Sequence, residues 1–233
     1  MRAVVLHSGG QDSTTCLLEA VHRHGASGVT ALQINYGQRH KVELECAVLS
    51  CEHLGVPYIR VDLPPLPGFG GDALTGGDEV QVETDLSAGG NQFAREHDLP
   101  STFVPGRNLL FLSIATAYAA KIGAHEIWTG VCAADEAGYP DCRPEFVWAM
   151  DDVIQAALDD PNYEVIAPLL SLTKGQTFKL ADNLGGLDLI LEYTHTCYQG
   201  DHETRNEWGY GCSECGSCLE RQAGWVDYKE EWA

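Results

Sequence analysis

Short apolar runs rich in β-branched residues alternate with stretches of helical periodicity through most of the chain. Five of these runs are predicted to be strands, and they cover residues 3–6, 29–36, 56–62, 125–130 and 164–166. The predicted helices cover residues 14–21, 41–54, 109–122, 144–158 and 174–184. This alternation predicts an α/β fold, a parallel twisted sheet with helices on both faces. Ligands of such folds bind at the carboxyl ends of the strands.

Two segments depart from this regular pattern. Residues 109–122 are apolar nearly all round, which predicts a buried central helix. Residues 64–100 contain four prolines and three Gly-Gly pairs and show no clear periodicity. So long an irregular segment is either a surface insertion or an active-site lid, and we expect a mobile lid.

The turn after the first predicted strand carries the sequence SGGQDSTT at residues 8–15. Gly9 and Gly10 can adopt positive φ and leave space for a ligand, so that several N–H groups at a helix start can bind phosphate oxygens. Asp12 would repel a phosphate unless it caps the helix or holds a divalent cation, for which Mg²⁺ is the natural candidate. The loop lacks the lysine of an ordinary P-loop. The alternative is a glycine-rich turn that binds nothing.

Further polar residues are predicted at the same edge of the sheet. Residues 35–40 follow the second strand, and the loop of residues 131–143 follows the fourth. Arg107 precedes a predicted helix, where its guanidinium can bind phosphate oxygens. Thr173 is predicted to cap a helix whose first turn contains Lys174. The helix dipole disfavours a cation there, so an anion such as an ATP phosphate would explain Lys174, and an exposed surface lysine is the alternative.

Composition and charge narrow the class of ligand. The chain has 233 residues, of which 44% are hydrophobic and 21% charged, as is usual for one α/β domain with a small appendage. Its net charge is −20, so a nucleic acid is a poor partner and a small-molecule substrate is favoured. The phosphate-loop motif begins at residue 8 and the longest apolar stretch is too short for a bilayer. We therefore expect a soluble, cytoplasmic protein without a membrane partner.

Four of the nine cysteines lie close together near the C terminus, at Cys197, Cys212, Cys215 and Cys218. A full set of four thiolates suits tetrahedral Zn²⁺ and leaves no open position, so the zinc would be structural. An iron–sulfur cluster is the main alternative, and disulfides are a weaker one in a reducing compartment. This division predicts a main domain over residues 1–190 and a C-terminal metal-binding segment over residues 191–233.

The motifs together resemble those of the 7-cyano-7-deazaguanine synthases, which are PP-loop ATP pyrophosphatases of the queuosine pathway. The resemblance covers nearly the whole chain and is carried by SGGQDS, NYGQRH, TFVPGRNLLFL, TGVC, GYPDCR and the terminal cysteines. It implies ATP- and ammonia-dependent conversion of 7-carboxy-7-deazaguanine to the 7-cyano base (preQ0), with Mg²⁺, one structural zinc and a homodimer. The acidic segment of residues 198–211 is longer than the family pattern, which puts the local fold there in doubt.

The resemblance also suggests roles for individual residues. The residues expected to bind ATP and Mg²⁺ are His7, Ser8, Gly9, Gly10, Gln11, Asp12, Ser13, Thr14, Thr15 and Arg107. Those expected to hold the deazaguanine acid are Gln38, Arg39, Asp135, Tyr139, Asp141 and Arg143. The expected catalytic set is Asp12, Ser13, Arg107 and Lys174. The alternatives are a related ligase that adenylates another acceptor in DNA, protein or tRNA, and a nucleotide-binding regulator with an inactive site.

Overall fold

Five parallel strands form the central sheet of the computed structural model, which describes residues 2–38, 41–63, 92–100, 102–132 and 138–233. The strands are β1 (Ala3–Leu6), β2 (Val29–Asn35), β3 (Tyr58–Asp62), β4 (Glu126–Trp128) and β5 (Glu164–Ile166). Their order in the sheet is β3-β2-β1-β4-β5, and every neighbouring pair is parallel. The sheet confirms the predicted fold class and places the ends of β1, β2 and β4 side by side.

Helices cover both faces of this sheet. They are α1 (Gln11–His24), α2 (Val42–Leu54), α3 (Gln92–Glu96), α4 (Arg107–Ile122), α5 (Pro144–Leu158), α6 (Lys174–Asn183), α7 (Leu187–Tyr193) and α8 (Gly216–Trp232). Val4 of β1 packs in a core with residues of α4 and α5, and Val5 packs in a second core with residues of α1 and α2. Successive strand side chains point to opposite faces, so both faces of β1 are buried.

Helix α4 is not buried on all sides, which corrects the expectation for residues 109–122. Leu112, Ala115 and Ala119 face the core, whereas the side chains of Leu109 and Leu110 are 48% and 37% exposed. The helix lies on one face of the sheet, so only the side chains at helical spacing toward the sheet are covered. The apolar composition of α4 therefore does not mean that the helix lies at the centre of the fold.

The C-terminal part of the chain is more regular than the sequence indicated. Helix α8 packs on α6, and Phe178, Ile190 and Tyr228 share one hydrophobic core. A Cβ atom at Gly224 would lie 2.7 Å from Cβ of Lys174, so this glycine allows the two helices to approach closely. Helix α7 passes through the predicted boundary between residues 190 and 191. The division into a main domain and a C-terminal segment stays a prediction.

Most of the predicted lid, residues 64–91, lies outside the described residues, and its last part forms helix α3. Within the described ranges, no helix is both long and apolar enough to cross a bilayer.

Candidate active site

A cavity of about 280 Å³ opens at the carboxyl ends of β1, β2 and β4. The phosphate loop forms one wall through Ser8, Gly10 and Asp12, and Arg107 at the start of α4 forms part of another. Apolar side chains, among them Phe111, complete the lining. The structure therefore brings the predicted phosphate loop and the predicted arginine to one cavity of the size that small ligands use.

The two glycines of the loop have different conformations. Gly9 has φ +89, which is left-handed, whereas Gly10 is the N-cap of α1 with φ −79 and needs no glycine for its backbone. No side chain caps the start of α1. Its first N–H groups are consequently open to an anionic ligand, as in other phosphate sites at helix starts.

Replacing Gly9 with Ala is expected to reduce the free energy of unfolding by about 3 kcal/mol. The new Cβ would lie 2.2 Å from the Glu43 carbonyl oxygen and 2.7 Å from the Ala47 nitrogen, so the first turn of α2 would have to move. Urea denaturation measures the loss, and ATP titration by calorimetry shows whether the loop still binds.

Gly55→Ala is the matched control for this change. Gly55 at the end of α2 has φ +64 and ψ 28, and a Cβ there would meet no atom within 4 Å. The control therefore carries only the left-handed strain of about 1 kcal/mol and leaves ATP binding unchanged. Equal losses in the two variants would mean that the contact between α2 and the phosphate loop is not important.

A buried histidine supports the hydroxyl groups of the loop. The side chain of His7 lies between Ser50 Oγ, 2.7 Å from Nε2, and Ser13 Oγ, 3.3 Å from Nδ1. Burial lowers the pKa of His7 to about 4, so its imidazole is neutral at neutral pH. Ser13 Oγ is also 3.0 Å from Ser8 Oγ. These bonds hold the two serine hydroxyls at the cavity wall.

The remaining residues of the loop point away from the cavity to different degrees. Gln11 lines it but is 3% exposed, and its Nε2 donates to Thr177 Oγ1 at 3.0 Å. Thr14 and Thr15 are fully buried and do not line it, because the rotation of α1 turns them toward the core. The side chains of Thr14 and Thr15 therefore do not reach the cavity that most other residues of the loop line.

Asp12 forms an ion pair with Lys174. The Lys174 Nζ atom lies 2.8 Å from Asp12 Oδ2 and 3.5 Å from Glu220 Oε1. An anion beside Lys174 is expected from the sequence. A carboxylate of the chain itself supplies that negative charge and balances the cation at the start of α6. Thr173 caps that helix through a capping box with Gln176, as predicted.

Arg107 is surrounded by groups that favour its charge. Burial alone would lower its pKa, but Tyr36, Tyr139 and Asp141 raise it above its ordinary value. Burial likewise raises the pKa of Asp141, while the charge of Arg107 opposes that rise. The Asn108 backbone N–H donates to Asp141 Oδ2 at 3.3 Å. Arg107 is consequently a fixed cation facing the cavity.

The predicted substrate residues that the structure describes divide into three groups. Gln38 lines the cavity, and its Oε1 accepts a hydrogen bond from the Tyr36 N–H at 3.1 Å. Tyr139 and Asp141 lie behind Arg107, and the Tyr139 hydroxyl is hydrogen-bonded to Thr102. Arg143 is exposed at the start of α5. The other two, Arg39 and Asp135, lie outside the described residues.

Sequence reasoning did not assign several of the lining residues to the site, among them Gly130 and Glu43. Gly130 follows β4, and a Cβ there would lie 2.9 Å from the Ser13 Cα atom, so the end of β4 can pass against α1 only without a side chain. Glu43 lines the cavity from the first turn of α2. Gly130 could have been found from the sequence, because it is a glycine that follows an apolar strand. Glu43 could not, because nothing in the local sequence distinguishes it from Glu45.

The four C-terminal cysteines converge as predicted. Their Sγ atoms all lie within 4.8 Å of one another, with 3.9 Å between Cys212 and Cys218 and 4.0 Å between Cys197 and Cys215. A tetrahedral ion with bonds of about 2.3 Å separates its sulfur ligands by about 3.8 Å. The distances therefore fit one metal ion held by four thiolates. An iron–sulfur cluster needs more room, because several iron and sulfide atoms would stand between the thiolates.

The cysteine site is joined to the phosphate loop through the backbone. The N–H of His195, two residues before Cys197, donates to the Gly9 carbonyl at 3.0 Å. Fully buried Arg221 secures this segment by donating to Thr196 Oγ1 and Ile190 O, each at 2.8 Å. Between the ligands, the long segment of residues 198–211 forms the antiparallel pair β6 (Arg205–Asn206) and β7 (Gly209–Tyr210) and leaves the four thiolates together.

A parallel α/β sheet with a glycine loop and an open helix start at its carboxyl edge defines a class of proteins that bind phosphate-bearing ligands. The family model of queuosine biosynthesis protein QueC matches residues 2–229, and the chain belongs to this family. The 7-cyano-7-deazaguanine synthase of Wolinella succinogenes is 43% identical over 227 residues, which are 97% of this chain and 93% of the relative. That of Lysinibacillus sphaericus is 41% identical over 234 residues, covering 99% and 98%. The chain is an enzyme of this family.

One solved structure of similar fold is the U34-tRNA thiolase NcsA of Methanococcus maripaludis, determined with its 4Fe–4S cluster. The match covers 79% of this chain and 57% of that chain at 16% identity, with a TM-score of 0.45. Such a distant likeness supports no inference about ligands or activity.

Proposed function

We propose that this enzyme converts 7-carboxy-7-deazaguanine and ammonia to 7-cyano-7-deazaguanine at the expense of ATP. One observation carries the proposal beyond the family relation: the phosphate loop, Gln38 and Arg107 line a single cavity. A triphosphate on the loop and a carboxylate near Arg107 would then be neighbours. This arrangement is what acyl transfer through an adenylate requires, because the two reactants must be held together.

The chemistry proceeds in two similar rounds. A carboxylate oxygen of the acid attacks the α-phosphorus of ATP and pyrophosphate leaves, which gives an acyl adenylate. Ammonia attacks the acyl carbon and AMP leaves, which gives the amide. The amide oxygen is then adenylated in the same way, and loss of AMP and a proton gives the nitrile. Arg107 stabilises negative charge on the phosphates in both rounds, and the backbone at the start of α1 holds the pyrophosphate.

Asp12 would hold the Mg²⁺ ion in this reaction. Its Oδ2 is paired with Lys174, whereas its buried Oδ1 has no hydrogen-bond partner among the described residues. One free carboxylate oxygen beside a phosphate loop fits Mg²⁺, which commonly binds one or two carboxylates and substrate phosphates. The ion would supply positive charge to the triphosphate. Lys174 holds the Asp12 carboxylate in place through its contact with Oδ2.

We assign zinc to the four-cysteine site. The short distances between sulfur atoms fit a single ion, and four thiolates leave no position open for substrate. The ion would hold β6, β7 and the start of α8 to the segment that contacts the phosphate loop. Four thiolates that are not paired as disulfides are typical of a reducing compartment, which supports a cytoplasmic location.

The partners we propose are small molecules and a second copy of the chain. A net charge of −20 disfavours nucleic acid. Large apolar side chains are exposed on α4 and α5, with Trp148 63% and Leu109 48% exposed, and an interface between protomers would cover such residues. Light scattering after size exclusion tests the dimer, and a monomer at micromolar concentration would refute it.

The activity is tested by incubating the purified enzyme with ATP, Mg²⁺, ammonium and 7-carboxy-7-deazaguanine. Mass spectrometry is expected to show the nitrile together with AMP and pyrophosphate. Without ammonium, the enzyme is expected to exchange labelled pyrophosphate into ATP only when the acid is present. Formation of ADP, or exchange that does not depend on the acid, would refute the proposal.

A further inference from the structure

Glu43 occupies a position in the cavity to which the proposed reaction has so far given no role. It lies in the first turn of α2 and lines the cavity together with Ser8, Gly10 and Arg107. Its backbone carbonyl is so close to Gly9 that a Cβ there would lie 2.2 Å away. Helix α2 is therefore packed directly against the phosphate loop, and the Glu43 side chain is next to the place where the triphosphate would bind.

The two carboxylates in the described lining of the cavity differ in their partners. Asp12 is committed to Lys174 through a contact of 2.8 Å. Glu43 makes no hydrogen bond or ion pair with any residue in the described part of the chain. The charged group that acts on it is Arg107 from α4; Asp12 from α1 lines the same cavity, and His7 from the end of β1 is neutral. Glu43 is thus available to a ligand.

The surroundings of Glu43 also suit proton transfer near neutral pH. Burial raises its pKa to about 7, and the charge of Arg107 counteracts part of that rise. A carboxyl group whose pKa is near the working pH can both take and release a proton during turnover. Apolar side chains of β2 and α4, among them Leu32, Ile34 and Phe111, line the same cavity and limit its hydration.

We propose that Glu43 takes a proton from ammonium inside the cavity and so delivers ammonia to the adenylated acid. This inference rests on the proposed function, which requires free ammonia although ammonium predominates at neutral pH. In this step an N–H bond of ammonium breaks and its proton passes to the Glu43 carboxylate. The lone pair of ammonia forms the new C–N bond, and AMP leaves with the electrons of the C–O bond. The amide nitrogen and Glu43 then release their protons to solvent.

Glu43→Gln is expected to lower the rate of amide formation from ammonium about 100-fold at pH 7. Hydroxylamine is a nucleophile that is already neutral at this pH, so the rate of hydroxamate formation should stay within about twofold of wild type. Pyrophosphate exchange, which precedes nitrogen attack, should also be unchanged. Glu45→Gln is the matched control, because it makes the same substitution two residues later on an exposed position of the same helix and should alter none of these rates.

The pH profile gives a second readout. At constant total ammonium, the wild-type rate should level off above about pH 7, once Glu43 is ionised. In Glu43→Gln the rate should keep rising about tenfold per pH unit, because ammonia then comes only from solution. The buried acid with a raised pKa destabilises the fold as pH rises from the ordinary value toward about 7, so Glu43→Gln should melt no lower than wild type above pH 7.

The outcomes separate the two proposals. If wild-type enzyme shows no acid-dependent pyrophosphate exchange, the proposed function is wrong. If wild type exchanges and forms amide but Glu43→Gln uses ammonium normally, only the role of Glu43 is wrong. Equal losses with ammonium and hydroxylamine, or a loss of exchange, would assign Glu43 to substrate or magnesium binding and would also overturn the proton-transfer role.

Discussion

Replacing Arg107 with Ala is expected to lower kcat/KM about 1,000-fold, because the cavity loses the fixed cation that we propose stabilises negative charge in both adenylation steps. The residue lines the cavity, and the charges around it keep it ionised. Arg107→Lys retains the charge but not the planar pair of donors, so it should recover only part of the rate. Steady-state kinetics with pyrophosphate release as readout measures all three enzymes.

Two controls show whether this loss is specific. Arg23→Ala removes an arginine whose side chain is 48% exposed on α1 and should leave turnover unchanged. Arg107→Ala also leaves the buried Asp141 carboxylate without the charge that opposes the rise of its pKa, at a cost of about 2 kcal/mol. Adding Asp141→Asn should restore stability at neutral pH but not activity. Wild-type turnover in Arg107→Ala would remove the arginine from the mechanism.

Replacing Cys218 with Ser is expected to abolish stoichiometric metal binding and to unfold the C-terminal part of the chain. Binding of a structural zinc ion is worth about 10 kcal/mol in small domains, which is comparable to the stability of a whole protein. The thiolates lie in a small core with Trp208, and their segment donates the His195 hydrogen bond to Gly9. Loss of the ion should therefore weaken ATP binding about tenfold as well.

Metal analysis, thermal unfolding and ATP titration measure these effects. Cys51→Ala is the control, because this cysteine is also fully buried but lies in the core between α2 and the sheet. It should keep one zinc per chain and lose about 1 kcal/mol. Iron with visible absorbance in the wild-type protein, or a Cys218→Ser variant that melts like wild type, would contradict the assignment.

The sequence predicted correctly those features of the fold and the site that depend on residues close together in the chain. The apolar run before Gly9, the glycine loop and the cysteine spacing each predict a feature from neighbouring residues, and the structure has the strand, the helix start and the converging thiolates. The partner of Lys174 could not be predicted in this way, since Asp12 is 162 positions away. The role of Glu43 depends likewise on how α2 packs against the phosphate loop.

The C-terminal helix was not predicted from the sequence, for a related reason. Helix α8 contains two glycines, which disfavour a helix, and it is stabilised by packing on α6. Gly224 is needed there because Lys174 is so close. The burial of α4 was predicted wrongly for the same reason. Which of its apolar side chains are covered depends on the neighbouring elements, and the sequence pattern does not show these.

The most direct test of the account follows the oxygens of the acid. Enzyme supplied with 7-carboxy-7-deazaguanine labelled with ¹⁸O in both carboxylate positions, ATP and ammonium is analysed by mass spectrometry. Attack of the acid and then of the amide on the α-phosphorus predicts that each AMP released carries one heavy oxygen, with none in pyrophosphate. Heavy oxygen in inorganic phosphate, or unlabelled AMP beside labelled water, would contradict adenylation at this cavity.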